Sequence, residues 1–206
     1  MISSKSVDIS LQSDTFRHVA ARVGLDRERV VDAAVDVLVE RGRPDAVALA
    51  EVADRLGIRT QSLYAHVDGA DGLRRELALR GLRALTERLN DAAAGRAGAD
   101  AIEAIVRAWV DFAAEQPGLY AASLRPPGDD AELAAAIEAA TRPLNLVFRS
   151  YGLDDDTARH WHRLIFSTVH GFSVLRADGL LTVLGDPEET VRHAIRVFTD
   201  QLASQT

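Results

Sequence analysis

The sequence predicts an all-α protein: an N-terminal three-helix, helix-turn-helix domain followed by a larger C-terminal helical domain. Three observations carry this prediction. Apolar residues recur three and four apart, the spacing that lines one face of a helix. Two short patterns of this kind, within Val47 to Val67, are separated by a single Gly57. The formal charge of −7 is unevenly spread. Basic and acidic side chains balance over residues 1–90, so the whole acidic excess falls on the rest, which marks two parts with different work.

Composition bounds the class. A chain of 206 residues can bury a sizeable core as one large or two small domains. It contains no Cys, so disulfides, thiolate metal sites and cysteine nucleophiles are excluded, which fits a reducing, cytoplasmic setting. The first residues lack the apolar core of a signal peptide, and no apolar run approaches the roughly 20 residues that a bilayer span requires. No membrane partner is expected.

In order, residues 1–23 read as a mobile tail carrying Lys5, Arg17 and Arg22. The first helix runs from about Asp26, its N-cap, to Arg41, with Val30, Ala33, Ala34, Val37 and Leu38 on one side, and Gly42 and Pro44 end it. A second helix, 48–56, turns its Leu49, Val52, Ala53 and Leu56 inward, and Gly57 permits a sharp left-handed turn. A third, 60–67, buries Leu63 and Val67 and leaves a short polar and aromatic face outside. Two helices joined this way project the second toward a DNA major groove, where hydroxyls and amides reach base edges and Tyr and His tips reach phosphates. The same spacing also serves an ordinary αα-corner.

The succession of a helix ending at Gly42, then LAEVADRLGI, then SLYAHV, then Asp68 to Leu73, resembles the N-terminal domain of TetR-family transcriptional regulators over residues 26–85. The resemblance implies an all-helical homodimer whose C-terminal domain binds a small molecule and thereby weakens operator binding. It places Thr60, Gln61, Ser62, Tyr64, Ala65 and His66 at the recognition-helix positions, with Tyr64 and His66 as the phosphate-contacting pair. Three positions depart from the family pattern. Arg59 stands where Ser or Thr often caps the recognition helix, Ala50 and Glu51 where the preceding helix often has a basic residue, and Ala70 where Lys often opens the next helix. Arg59 is then expected to take a phosphate contact and Thr60 the cap. The salt slope of DNA binding should be shallow, or helped by Arg22, Arg74 and Arg75.

Residues 24–70 thus form the DNA-binding domain and 71–90 a connector helix. Leu73, Leu77, Leu82 and Leu85 alternate there with Arg74, Arg75, Arg80, Arg83 and Arg88; taken singly, each Arg reads as part of a solvated face. Residues 91–206 form the ligand-binding and dimerisation domain. Its helices span about 100–116, a short 119–124, 130–150 with a kink at Pro143, 156–178 and 187–203. The phrase PGLYAASLRPP, with His170 to Phe172, partly resembles a TetR subgroup with a Trp-His-Gly signature, Val169 standing where that signature has Trp. The last two helices, with stripes from Ala158 to Leu175 and from Val191 to Leu202, can build a four-helix bundle with a second copy or fill their own core.

Trp109, Phe112, Tyr120, Phe148, Trp161, Phe166, His170 and Phe172 are the candidate ligand-binding residues, apolar walls with a few polar tips. Each also reads as ordinary core. His160 and His162 lie two apart on a helix and point to different faces, so they cannot share a metal. No phosphate loop, nucleophile elbow or acid–base pair is present, so no catalytic residues, metal or cofactor are expected. The expected function is a dimeric, ligand-responsive regulator, a repressor of a near-palindromic operator. Its effector would be an apolar or amphipathic small molecule. The alternative is a helical binding protein or enzyme without specific DNA binding.

Overall fold

The computed structural model describes residues 24–205 except Thr182 and Leu184. The predicted tail and its Lys5, Arg17 and Arg22 lie outside the described residues. Nine α-helices and one 3₁₀ turn make up the regular structure of the described part. They are α1 (Arg27–Arg41), α2 (Leu49–Leu56), α3 (Thr60–Leu63), α4 (Gly69–Ala93), α5 (Gly98–Glu115), α6 (Pro117–Ser123), α7 (Ala131–Ser150), α8 (Asp155–Ala177) and α9 (Pro187–Ala203), with the turn at Pro44–Ala46.

Local chemistry sets these boundaries. Asp26 accepts the Arg29 backbone N–H at 2.9 Å, so α1 begins with one of its four orphan donors satisfied. Asp130, Asp154 and Asp186 cap α7, α8 and α9 in the same way. Gly42 and Gly57 close α1 and α2 in the left-handed region, at φ 72° and 67°, where a residue with a Cβ is strained. Pro143 sits buried inside α7, which continues past it to Ser150. Its missing N–H leaves the carbonyl of the exposed Ala139 without a helical donor, a cost water can offset.

The long helix α4 is the axis. Its early Leu73 and Leu77 pack in the core shared with Val30, Val37, Leu38, Val52, Leu63 and Val67, while Leu85 and Leu89 join the same core further along. Ala78, Leu79 and Leu82 turn to Leu133 of α7. Burial of each such leucine contributes about 2 kcal/mol, before the entropy of ordering it is subtracted. The main core continues without a break from Val30 to Leu202. Gly118 of α6 presses against Leu38, whose Cγ would lie 2.9 Å from a Cβ added there. Gly81 of α4 faces the Leu119 carbonyl at a distance that leaves no room for a Cβ. Helix α6 is therefore wedged between α1 and α4, and two glycines make the wedge possible.

The arginines of α4 are engaged within the chain. Arg75 pairs with Asp130, Glu132 and Glu76, and Arg27 of α1 meets the same Glu76. Arg74 pairs with Asp71, Arg80 with Asp32, Arg83 with Glu132 and Arg88 with Glu115. Phosphate help from Arg74 and Arg75 would have to compete with these carboxylates. No helix among the described residues is long and apolar enough to cross a membrane.

Candidate nucleic-acid interface and apolar chamber

The recognition element is shorter than its periodicity predicts. Helix α3 ends at Leu63, and the chain keeps turning through His66, whose N–H reaches the Leu63 carbonyl at 2.9 Å. Leu63 and Val67 still face inward, 0% and 5% exposed, because both project under the α1–α2 pair. Arg59, Gln61, Ser62, Tyr64 and Ala65 are exposed, and Thr60 and His66 half-buried. The cap expectation is corrected. Arg59, with extended backbone at φ −79° and ψ 142°, takes the N-cap position with no side-chain cap, so Thr60 is the first helical residue.

Tyr64, at 59% exposure, is one of the most exposed large side chains of the described chain. It shares this face with hydroxyl, amide and guanidinium groups of Thr60, Gln61, Ser62 and Arg59 that have no hydrogen-bond or ion-pair partner among the described residues. By contrast, Arg55 of α2 pairs back with Asp36 and Glu40, and Glu51 with Arg41. The cationic supply around α3 is therefore thin, with Arg59 its nearest arginine.

A cavity of about 500 Å³ lies in the C-terminal part. Its walls come from five helices and the loop after α6: Leu82 and Leu85 of α4, Trp109 of α5, Tyr120 and Ser123 of α6, Ile137 and Thr141 of α7, and His162, Phe166 and His170 of α8. Arg125 and Arg163 complete it and are, among the described residues, the only charged ones in its wall. The residues at 162, 166 and 170 recur four apart, which puts all three rings on one face of α8. Phe166 stacks on His170 with centroids 5.8 Å apart, and Trp109 packs against Phe166 at 5.8 Å and His162 at 6.1 Å, within the usual range for aromatic pairs.

Burial holds the polar tips in defined protonation states. The Tyr120 phenol, pushed up to about 12 by desolvation, keeps its proton, and its hydroxyl shares a hydrogen bond of 3.2 Å with His170 Nδ1, the imidazole tautomer setting which of the two donates. Desolvation lowers the His162 pKa, so the ring is neutral at pH 7. His160, two residues earlier, is exposed on another face.

Trp109, Tyr120, Phe166 and His170 thus stand in the chamber wall. Phe112 and Phe148 are fully buried in the main core instead. Trp161 packs edge-on against Phe198 of α9 and reaches Gln205 at 3.4 Å, and Phe172 lies on the core beyond the chamber. Sequence periodicity points to neither arginine: Arg125 lies in the RPPGDD loop, and Arg163 falls outside the apolar stripe of its helix.

A helix-turn-helix with its outer polar face unengaged, braced by a long helix to a helical domain with an apolar chamber, defines a ligand-responsive, DNA-binding regulator. Comparison with known proteins gives the family. Residues 102–198 match the family model described as tetracyclin repressor-like, C-terminal domain. The chain is 32% identical over 184 residues to YobS, an uncharacterized HTH-type transcriptional regulator of Bacillus subtilis, covering 89% of this chain and 96% of that one. It is 36% identical over 167 residues to a similarly described regulator of Mycobacterium tuberculosis, covering 80% of this chain and 76% of the relative. Among solved structures, the TetR-family regulator PfmR of Thermus thermophilus superposes with TM-score 0.60 at 17% identity, over 86% of this chain and 97% of that one. The regulator FadR of B. subtilis, in complex with stearoyl-CoA, does so with 0.64 at 13%, over 84% and 97%. The chain belongs to the TetR family of transcriptional regulators.

Proposed function

We propose that the protein is a homodimeric repressor whose chamber binds an apolar or amphipathic effector and whose occupied state releases a near-palindromic operator. The observation that carries this reading is Arg125. It is a wall residue of the chamber and also grips Asp71, in the first turn of α4, through two bonds of 3.1 and 2.9 Å. Asp71 follows the recognition turn by a few residues, so anything that moves Arg125 pulls at the base of the DNA-binding unit. Helix α6 runs in parallel with this link, with Tyr120 and Ser123 in the chamber wall and Gly118 against Leu38 of α1.

Domain limits follow the same division: residues 24–70 bind DNA, 71–90 connect, and 91–206 hold the effector and the dimer face. The dimer face is the side of α8 turned from the chamber, where Leu164 and Leu175 are 51% and 42% exposed, together with Val197 of α9 at 46%. Gly171 on the same side has open space where a Cβ would be. Two copies joined there make a four-helix bundle that sets the spacing of the recognition elements, about 34 Å for successive major grooves. The effector binds one spacing better than the other and shifts the population by its differential affinity. Tyr64 and His66 serve phosphates, Gln61, Ser62 and Thr60 serve base edges, and Arg59 supplies the nearest cation. The reading involves binding without turnover.

The test is fluorescence anisotropy of the purified protein with its own upstream DNA and a scrambled duplex at one salt concentration. Strong preference for the native duplex supports the reading, and Trp109 fluorescence then screens for effectors that reverse it. Equal weak binding places the operator elsewhere, and no binding by a folded dimer overturns the reading.

A further inference from the structure

We propose that the effector is an amphipathic anion, its apolar body held in the chamber and its acidic group held by Arg163 of α8. This inference rests on the reading of the chamber as the effector site. Among the described residues no acidic side chain stands in the chamber wall, and the two charged ones there are both arginines. Arg125 is already committed to Asp71 by a two-pronged pair. Arg163 makes no ion pair among the described residues, although 31 acidic side chains outnumber 24 basic ones in the chain. In an acidic protein, a cation left unpaired at the mouth of an apolar cavity is a charge awaiting a carboxylate, phosphate or sulfate.

The surroundings point the same way. A second hollow between α7 and α8 shares Thr141, His162 and Arg163 with the chamber and adds Asn145, Arg149 and Arg159. Arg149 is likewise without an acidic partner among the described residues, whereas Arg159 is taken up by Asp156. Asp155 is the single acidic residue lining this hollow. An apolar room thus opens beside a cleft with two unpaired guanidinium groups and an amide, the arrangement that separates a chain or ring system from a hydrated anionic end. Nothing comparable is offered to a cationic amphiphile, which would meet arginines and a neutral, desolvated His162.

The test uses the full-length dimer and three probes with the same ten-carbon chain: decanoate, decanol and decyltrimethylammonium, followed by calorimetry and Trp fluorescence. Decanoate should bind at least about tenfold tighter than decanol, and the cation weakest. Arg163→Ala should bring decanoate down to the decanol level while leaving decanol unchanged, and Arg163→Lys should restore part of the preference. Ala140→Trp, which fills the chamber, should abolish all three. Equal binding of decanoate and decanol, or a decanoate affinity indifferent to Arg163→Ala, overturns the anion inference but leaves the chamber as the effector site. Binding that survives Ala140→Trp overturns the chamber reading itself.

Discussion

Replacing Gly81 by Ala tests whether the contact between α4 and α6 is as close as described. On an exposed helix the change would stabilise by about 1 kcal/mol, because Gly carries the higher chain entropy. Here the added Cβ would overlap the Leu119 carbonyl oxygen and lie 3.3 Å from both the Leu119 carbonyl carbon and Ser123 Cβ. The obstructing atom is backbone, so no rotamer change relieves it, and α6 must move off α4. Overpacking of a tight core contact costs about 1–3 kcal/mol, and a backbone clash belongs at the upper end. Set against the propensity gain, the net loss is about 2 kcal/mol. For a chain of this size, about 2–4 °C per kcal/mol lowers Tm by about 4–8 °C. Thermal and urea unfolding by circular dichroism at one fixed protein concentration would measure it, the concentration being held because a self-associating chain has a concentration-dependent stability. A Gly81→Ala protein as stable as the parent, or more so, would refute the close approach and with it the wedge that ties the chamber to α1.

Four further outcomes are expected. Tyr64→Ala should weaken operator and non-specific DNA alike, whereas Gln61→Ala should mainly relax sequence preference; equal losses in both variants for both duplexes would refute the division of roles. Asp71→Asn should leave effector affinity unchanged in the absence of DNA while reducing the drop in operator affinity that the effector causes, which anisotropy with and without effector resolves. Leu164→Asp should shift the protein to monomer in sedimentation and abolish operator binding while the helical circular dichroism persists. Asp130 should shape acid stability: the Arg75 guanidinium beside it, helped by the Leu133 and Glu132 N–H groups, lowers its pKa from 3.8 to about 2. Its stabilising contribution is present above about pH 4 and is lost as pH falls toward 2, so Asp130→Ala should flatten that part of the pH–stability curve.

The helices and the helix-turn-helix are legible in the sequence, because both are written in neighbouring residues. Caps at Asp26, Asp130, Asp154 and Asp186 and the left-handed glycines at 42 and 57 act over one turn. Four-residue spacing alone places His162, Phe166 and His170 on one face. The recognition turn was harder to bound, since the Leu63 carbonyl accepts from both His66 and Val67, three and four residues on, with no change in the apolar pattern.

Only the tertiary structure decided what each face meets. Trp109 and Phe112 lie on the same apolar side of α5, yet Trp109 meets His162 and Phe166 of α8 in the chamber wall while Phe112 is sealed in the core. The apolar stripe of α8 divides likewise. Ile165 and Val169 are buried in the chain's own core, while Leu164, which the stripe omitted, stands exposed beside Arg163 of the chamber. Arg125 and Asp71 are joined across 54 positions, and Gly81 matters only because Leu119 is brought against it. Periodicity identifies a surface as apolar or polar, but the partner of that surface is set by how whole helices cross, a property no local stretch of sequence contains.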